Sequence, residues 1–373
     1  MKKLFLVLTL IILSISFYPV KAMERACDIL KKNVVTSGDG LYVDSTIDGR
    51  YIYKGANPNN YIKLGDDLYR IISLEKDGTI KVIRIEKATG FSNVFDGYDR
   101  KSTGSSDYCT GSYGCNAWGS NTTTLDSNGN KVTQMSKELG GSLYNLPDKE
   151  ASLNTYLNND FYNGLSDEVK NFIVTKEWNI GPTIVWQSNL LDSIKEESSY
   201  KWKGKVALMN VTDYVKASNN PECTTVKDYS YYGTSSCYNN ASKYTYLSLG
   251  SWIITLSPLS SYPGDVIYIP SWIQDQRATT GGSVYPAFFL SSETTLNGEG
   301  TQTNPYTVSK YVEEVKSEEN NDNNEENNQN VNNGQIVEVP STSAQMSIII
   351  ASIGIIFVSL ALIITKKMAI THK

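Results

Sequence analysis

The sequence YIKLGDDLYRIISLEKDGTIKVIRI, residues 61–85, decides the fold of this chain. Three runs of aromatic, leucine and β-branched residues are separated by Gly-Asp-Asp and by Lys-Asp-Gly. Such runs favour strands, and a short segment with Asp-Gly between two of them is typical of a β-hairpin. The stretch therefore predicts an antiparallel sheet with strands at residues 61–64, 68–75 and 80–85.

Further short strands are predicted on both sides of this sheet. Residues 50–54 form an aromatic run that Gly55 closes, and prolines keep the strands short in residues 244–308. Residues 126–130 have the composition of a hairpin turn; they look faintly like the start of a calcium loop but lack its downstream Glu. The remaining predicted strands are residues 173–180, 205–209, 252–255, 265–269 and 287–290.

Capping residues place short helices among these strands. Ser, Thr and Asp at a helix N-terminus accept hydrogen bonds from backbone N–H groups that otherwise have no partner. Apolar residues three and four positions apart indicate one buried face for each helix. The predicted helices are residues 26–32, a segment capped by Asp148 and ended by Gly164, a segment capped by Ser166, and a segment from its cap Thr212 to Ala217.

The composition favours a β-rich fold with an aromatic surface. The chain of 373 residues contains 25 Tyr, 6 Trp and 27 Gly. Residues 23–311 are long enough for one large domain or two small ones. The formal net charge is −5 and no stretch is strongly basic, which disfavours nucleic acid as a partner.

The N-terminus has the three parts of a secretory signal peptide. Two lysines precede an apolar run at residues 4–17, and Val20-Lys21-Ala22 supplies small residues for signal peptidase. We therefore expect residues 1–22 to be a signal peptide that is cleaved before Met23. The alternative is an uncleaved N-terminal anchor.

The C-terminal part combines a polar stalk with a membrane anchor. Residues 312–338 are rich in Asn and acids and almost free of apolar side chains, which predicts a disordered stalk that its own charges extend. Residues 346–365 carry no charge and are long enough to cross a bilayer as a helix. Two lysines follow directly, so residues 366–373 are expected in the cytoplasm. This order predicts a single-pass protein at the cell surface, with residues 23–311 as an extracellular domain.

The cysteines suit an oxidising exterior. Of the five, four form two couples that are close in sequence, and each couple is predicted to make a local disulfide. Cys27 is left over, either free or joined to another partner. In the alternative all five stay reduced. The two couples are Cys109 with Cys115 and Cys223 with Cys237.

Five blocks of the folded part carry a family resemblance: GRYIYKGANPNNY at residues 49–61, LYRII at 68–72, GKVALMNVTDY at 204–214, VYPAFFL at 284–290 and GTQTNPY at 300–306. Together they resemble a family of domains in secreted and surface proteins of Gram-positive gut bacteria, which has no assigned function. The resemblance implies a C-type-lectin-like fold, as in formylglycine-generating enzymes. That fold is an α+β domain of twisted antiparallel sheets with two or more short helices and long irregular loops. Tyr69 and Tyr285 replace a Trp and an Arg that many relatives have.

Residues 339–343, VPSTS, precede the apolar segment and the basic residues. This order resembles a sortase sorting signal, Leu-Pro-x-Thr-Gly, at Pro340 and Thr342. Val339 replaces the Leu, and Ser343 replaces the Gly that follows the cleaved bond. The resemblance implies sortase and peptidoglycan as partners if that bond is cut. Otherwise the membrane span alone anchors the chain.

Export, anchoring and the stalk favour a displayed adhesion module that binds a glycan or a protein on a host or bacterial surface. Tyr, Trp, Ser, Gly and Asn are abundant in its loops, as in the binding loops of antibodies. Trp252, Tyr262 and Trp272 lie in or beside the last loops and are the candidate ligand-binding residues. The alternatives are ordinary core packing for these aromatics, and for the whole chain a structural coat protein without a specific ligand.

An exported enzyme that acts on glycans is the other hypothesis. Asp265 with Asp275, or Asp160 with Asp167, supply carboxylate pairs, although solvated turn acids are the ordinary interpretation. The single histidine, His372, lies in the predicted cytoplasmic tail, so neither a zinc site nor a His-dependent triad is expected outside the membrane. No catalytic residue, metal or cofactor is predicted.

Overall fold

The computed structural model describes residues 23–91, 93–97, 100, 109, 114–137, 140–182, 190–220, 241–247, 251–256, 265–269 and 274–311. All of these residues belong to one compact unit, Met1–Val315. The predicted signal peptide, stalk, sorting motif, membrane span and cytoplasmic tail lie outside the described residues. Within the described ranges, no helix has the length and apolar character needed to cross a membrane.

The stretch at residues 61–85 forms the three antiparallel strands that its sequence predicts. They are β3 (Tyr61–Leu64), β4 (Asp67–Leu74) and β5 (Ile80–Arg84), each within one residue of the predicted bounds. Gly78 has a φ of 82° in the second turn, a value that glycine adopts without strain. The local sequence is therefore sufficient to specify this meander.

β4 organises the main sheet because it is long enough to pair with three strands. One of its edges pairs with β5, and the other pairs with β3 near the start of β4 and with β2 (Tyr51–Lys54) near its end. β1 (Gly40–Val43) then pairs with β2. The sheet consequently branches at β4, and the segment between β2 and β3 leaves the sheet at this branch.

The other described strands are short: β6 (Thr124–Asp126), β7 (Gln134–Ser136), β8 (Leu143–Asn145), β9 (Ile173–Val174), β10 (Lys176–Asn179), β11 (Tyr200–Gly204), β12 (Val206–Ala207), β13 (Ser251–Leu256), β14 (Asp265–Ile269), β15 (Gln274–Arg277), β16 (Ala287–Leu290), β17 (Thr294–Asn297) and β18 (Tyr306–Lys310).

Ten of the described strands form the main sheet. Its order is β12-β16-β5-β4-β3-β18-β17, with β2 and β1 branching from β4 and β9 pairing with β16. β18 runs parallel to β3, so the end of the domain lies beside its beginning. Three smaller sheets have the orders β10-β11-β6, β13-β14-β15 and β7-β8.

The described helices are short: α1 (Ala26–Lys31), α2 (Ser152–Tyr156), a π-helical turn (Leu157–Phe161), α3 (Tyr162–Gly164), α4 (Asp167–Lys170), α5 (Leu190–Glu197), α6 (Val211–Lys216) and a 3-10 turn (Ala241–Lys243). With many strands and few helices, the domain is a mixed α+β fold, as predicted.

Helix α2 begins later than the sequence predicts. Its first residue is Ser152, and Asp148 does not cap it. The cap comes from a distant side chain, because Asp96 Oδ1 accepts hydrogen bonds from the Ser152 backbone N at 3.1 Å and from its Oγ at 3.2 Å. The predicted end at Gly164 is correct for the continuous helical segment from α2 to α3.

The cap of α6 also differs from the prediction. Asn210, not Thr212, is the N-cap, and it forms a capping box with Asp213. The Asn210 backbone N donates to Asp213 Oδ2 at 3.0 Å. For α4 the prediction is confirmed, since Ser166 Oγ accepts a hydrogen bond from the Val169 N at 3.3 Å.

Two predicted strands are corrected. Residues 173–180 form two strands rather than one, because β9 joins the main sheet and β10 joins β11. Residues 205–209 contain only the two-residue strand β12. In addition, helix α5 is not among the predicted helices, although Leu190, Leu191 and Ile194 have the spacing of one helical face.

The core lies around the central strands, which are buried on both faces. Tyr69 on β4 packs edge to face against Phe288 on β16, with ring centroids 5.2 Å apart. Trp118 packs against Trp202 of β11 at 5.9 Å and so joins a smaller sheet to the same core. Burying a large apolar side chain of this kind stabilises a fold by about 1.5–3 kcal/mol.

Candidate functional site

The predicted aromatic site falls largely outside the described part of the chain. Trp252 belongs to β13, where its backbone lies opposite Tyr268 of β14, but its side chain is not among those described. Tyr262 and Trp272 lie outside the described residues. This site therefore stays a prediction.

The predicted cysteine couples have different outcomes. Cys109 and Cys115 are joined in a disulfide, with their Cα atoms 5.1 Å apart. Both are buried in a small apolar cluster with Met135. Cys27 is half-buried and not in a disulfide. Cys223 and Cys237 lie outside the described residues.

A buried ion pair holds the segment that contains Cys115. Arg100 Nε donates to Asp96 Oδ1 at 2.9 Å, and the Cys115 N donates to Asp96 Oδ2 at 3.0 Å. Arg100 Nη2 also donates to the carbonyl oxygens of Cys115 at 3.1 Å and Ala117 at 2.7 Å. Since Asp96 also caps α2, this pair ties the disulfide segment to a helix.

A larger cluster of buried charges joins the main sheet to α6. Asp213 of α6 contacts two cations, Lys81 of β5 and Arg50 just before β2: Lys81 Nζ lies 2.6 Å from Oδ2, and Arg50 Nη2 lies 3.0 Å from Oδ1. Arg50 Nε also contacts Glu75 Oε1 at 3.0 Å. The side chains of Lys81, Arg50 and Asp213 are 5%, 8% and 3% exposed, so these charges are compensated by one another and not by water.

A second pair continues the cluster at the other end of α6. Lys216 Nζ lies 2.9 Å from Asp44 Oδ2, and Arg50 Nη1 lies 3.6 Å from the same oxygen. Asp44 Oδ1 additionally accepts hydrogen bonds from the backbone N and the Oγ1 of Thr46. Arg50 thus lies between the two aspartates that hold α6 to the sheet.

Both aspartates are held in their charged form. Burial opposes ionisation of Asp213, but the charges of Lys81 and Arg50 outweigh it and hold its pKa far below the ordinary value. For Asp44, burial is likewise outweighed by Lys216 and by hydrogen bonds from Thr46, and its pKa is lowered. The cluster is buried and its charges are paired with one another, so we interpret it as a structural part of the fold.

Arg70 of β4 orders the segment between β2 and β3. Its guanidinium lies between the rings of Tyr61 and Tyr246, 3.8 and 4.8 Å from their centroids. Arg70 Nε donates to Asn60 Oδ1, and Nη2 donates to the Pro58 carbonyl at 3.1 Å. This buried arginine therefore fixes the backbone of residues 57–60, which forms one wall of a groove.

The groove has a volume of about 750 Å³. Its walls are the end of α1 with the turn after it, the start of β1, the segment 57–59 and the turn before β18. Clefts of about 300–1,000 Å³ are the usual size of small-ligand sites. The groove is therefore large enough to hold a ligand of several linked rings.

Asp39 connects the start of β1 to the segment 57–59 of the groove and to Asn219. Its Oδ2 accepts a hydrogen bond from the Asn57 backbone N at 2.8 Å, and its Oδ1 accepts from Asn219 Nδ2 at 2.7 Å. Gly55 permits this approach, because a Cβ at that position would lie 2.0 Å from Asp39 Oδ1. Gly55 also has a φ of 106°, which side-chain-bearing residues rarely adopt.

The lining combines neutral polar, apolar and charged side chains. Asn33, Asn57 and Asn59 are exposed there, and the hydroxyl groups of Tyr53 and Tyr306 are joined by a hydrogen bond. Burial raises the pKa of both tyrosines above the ordinary value of about 10. Amides and hydroxyls of this kind both donate and accept hydrogen bonds.

A second hollow of about 440 Å³ lies between residues 87–93 and residues 281–283. Phe91 of its wall stacks on Tyr156, with ring centroids 4.0 Å apart, and the Tyr156 hydroxyl donates to the Thr89 carbonyl at 2.9 Å. The aromatic pair is thus engaged in packing. The smaller hollow offers fewer polar side chains than the groove.

The carboxylates considered for catalysis are not gathered into a described site. Asp160 and Asp167 are both exposed on short helical segments. Asp265 and Asp275 lie on neighbouring strands, where Asp265 is opposite Arg277. Across the ranges that the structure describes, no group of three or more His, Cys, Asp or Glu residues is arranged to hold a metal ion.

Residues 126–130 form the turn that their composition predicts. Asp126 Oδ1 accepts hydrogen bonds from the backbone N atoms of Asn128 and Asn130, both at 2.9 Å. Gly129 has a φ of 83°. The Asp126 carboxylate is therefore occupied by the turn itself.

No protein-family model, curated protein or solved structure matches this chain. Sequence reasoning missed the groove, because its lining comes from four separate parts of the chain. One signal was available: the Asn57-Pro58-Asn59 segment, with polar residues on both sides of a proline, lies within the first block of the family resemblance.

Proposed function

We propose that this chain is a binding module displayed at a cell surface, and that the groove beside Asn57 is its ligand site. The single observation that carries the proposal is the groove itself: an open concavity of about 750 Å³ whose exposed lining includes the amides of Asn33, Asn57 and Asn59. Side chains of this type orient a ligand through hydrogen bonds without demanding a charge on it.

The rigidity of the wall supports a binding role. Arg70 donates a hydrogen bond to the Pro58 carbonyl, and Asp39 accepts one from the Asn57 backbone N. A wall that is ordered before binding loses little conformational freedom when the ligand arrives. The groove therefore has the pre-organisation that a recognition site needs.

The remaining parts of the proposal rest on the sequence. The signal peptide, the acidic stalk and the apolar segment at residues 346–365 support display outside the membrane on a single anchor, with wall attachment if sortase cleaves after Thr342. The blocks of family resemblance and the mixed α+β fold support a C-type-lectin-like domain from the Gram-positive family. A glycan or a protein of a host or bacterial surface is the expected partner.

The test compares cells that display the full chain with cells that display a groove variant. Asn59→Trp places a large ring in the groove from an exposed position, and Asn163→Trp makes the same change at an exposed position outside it. We expect the wild type and Asn163→Trp to retain the same ligands from glycan arrays and from host or bacterial surface extracts. Asn59→Trp should lose them.

Equal binding by both variants would move the ligand site away from the groove. Binding to nothing by the wild type would favour a coat protein. A further assay follows turnover, because Glu299 also lines the groove. Release of a cleaved glycan that stops with Glu299→Gln would show that the chain is a hydrolase.

A further inference from the structure

The chemistry of the groove also indicates which ligand it accepts. We infer that it binds an N-acetylated, uncharged oligosaccharide, an inference that rests on the proposed binding function. Three properties of the lining point to this class: its charge, its amide groups and its apolar patch.

The charges at the groove disfavour an anionic ligand. Lys32 is a cation of the lining, and its Nζ is bonded to the Glu24 carboxylate. Asp39 and Glu299 contribute two carboxylates. The groove is consequently neutral to acidic, so a sugar acid or a phosphate would meet repulsion there. An uncharged ligand meets no such penalty.

The amides match the groups that an acetamido sugar presents. Each Asn side chain offers two N–H donors and one carbonyl acceptor, and the sugar offers an amide N–H, an amide carbonyl and hydroxyl groups. Asn57 and Asn59 project from a wall whose backbone Asp39 and Arg70 hold in place. Complementary amide pairs can therefore form without reordering the protein.

The apolar part of the lining accepts the methyl group and the C–H face of such a sugar. Val34, Val35, Leu41 and Pro58 are apolar residues of the lining, and the two valines are partly exposed. A sugar without the acetamido group would leave this patch uncovered and the amides without their partners. Those losses predict discrimination between two oligosaccharides that differ only in that group.

The test uses the purified full-length chain in detergent, with chitotriose and cellotriose as probes in isothermal titration calorimetry. We expect chitotriose to bind at least about tenfold more tightly than cellotriose. One good hydrogen bond together with the apolar contact of the acetamido methyl group is worth about 1.4 kcal/mol, which is a tenfold change in affinity. Asn59→Asp, which replaces the amide donors by a charge, should weaken chitotriose binding by about tenfold or more. Asn163→Asp, outside the groove, should leave the affinity unchanged.

Each outcome has one meaning. Equal affinity for the two sugars overturns recognition of the acetamido group, and chitotriose binding that Asn59→Trp leaves intact overturns the site. If Asn59→Trp abolishes cell-surface binding but chitotriose neither binds nor competes, the ligand class is wrong and the proposed function stands. If the wild type binds neither sugar nor any surface ligand, both the ligand class and the proposed binding function are wrong. Where chitotriose does bind, retention of the chain by purified peptidoglycan indicates that the natural ligand comes from the bacterial wall, and retention by mucin indicates that it comes from the host.

Discussion

At the scale of single residues, the most consequential group is the Asp213 carboxylate. Its Oδ1 accepts a hydrogen bond from Arg50. Its Oδ2 accepts hydrogen bonds from Lys81 and from the backbone N of Asn210, the N-cap of its own helix. One side chain therefore takes part in the capping box of α6 and pairs with two buried cations. A buried charge whose partner is removed cannot recover solvation, so the cost of losing Asp213 is much larger than for a surface pair.

We expect Asp213→Asn to lower the free energy of unfolding by about 3–5 kcal/mol, because it removes the carboxylate that pairs with buried Lys81 and one of the three carboxylates that contact Arg50. Urea unfolding followed by tryptophan fluorescence measures this change. The control is Asp160→Asn, an exposed position that should stay within about 0.5 kcal/mol of wild type. A loss for Asp213→Asn as small as that of the control would show that water compensates the cluster.

The same carboxylates predict the response to acid. The pKa values of Asp213 and Asp44 are lowered in the folded state, whereas in the unfolded chain both return to about 3.9. Their stabilisation is therefore fully present above about pH 4 and is lost as the pH falls toward the folded-state values.

Unfolding free energies measured in urea at pH 7, 5, 4 and 3 should show this loss. The wild type should become steeply less stable below about pH 4, and Asp213→Asn should show a shallower dependence because one of the two titrating groups is absent. Asp160→Asn should follow the wild-type curve. Parallel curves for wild type and Asp213→Asn would exclude Asp213 as a source of the acid sensitivity.

At the scale of elements, the start of one helix is set by a neighbouring residue and the start of another by a distant residue. Ser166 precedes α4 directly, and its hydroxyl oxygen reaches the Val169 N within the same turn. Asp148 stands in a comparable position before an apolar segment, yet α2 begins only at Ser152 because Asp96 supplies the cap. In both sequences a residue that can cap a helix precedes an apolar segment. Only for α2 does a residue 56 positions away take over the capping.

Substitution by alanine tests this difference. Ser166→Ala should cost about 1 kcal/mol of unfolding free energy, the usual effect of removing a helix N-cap. Asp148→Ala should change it by less than about 0.5 kcal/mol, since it caps nothing in the structure. Thermal unfolding monitored by circular dichroism measures both. A larger loss for Asp148→Ala than for Ser166→Ala would contradict the observed helix start.

At the scale of the whole molecule, strand order brings the two ends of the domain together. β18 pairs with β3, and α1 contacts β17, so the turn before β18 and the end of α1 meet beside the segment 57–59. The groove exists because of this closure. Its lining residues are local to four different elements and become neighbours only when the sheet is complete.

The proposed display of the domain predicts how protease acts on intact cells. Protease added outside should degrade residues 23–311 and leave a membrane-bound fragment with the tail at residues 366–373, because the bilayer shields that tail. Mass spectrometry of the native C-terminus completes the measurement. A peptide that spans Thr342 and Ser343 would exclude sortase cleavage there, and protection of the domain in intact cells would contradict an exterior location.

Much of the fold could be predicted from the sequence, and the part that could not has a common physical cause. The meander at residues 61–85, the Ser166 cap and the turn at Asp126 follow from the sequence alone, because each depends on backbone preferences and contacts within a few residues. The tertiary structure alone decided the capping of α2 by Asp96, the charge cluster and the groove. Lys81 and Asp213 are 132 residues apart, and which of the chain's many acids a buried lysine meets depends on the order of the strands. Interactions within a few residues determine the helices and strands, whereas the pairing of buried charges and the shape of the groove are determined only when distant segments pack together.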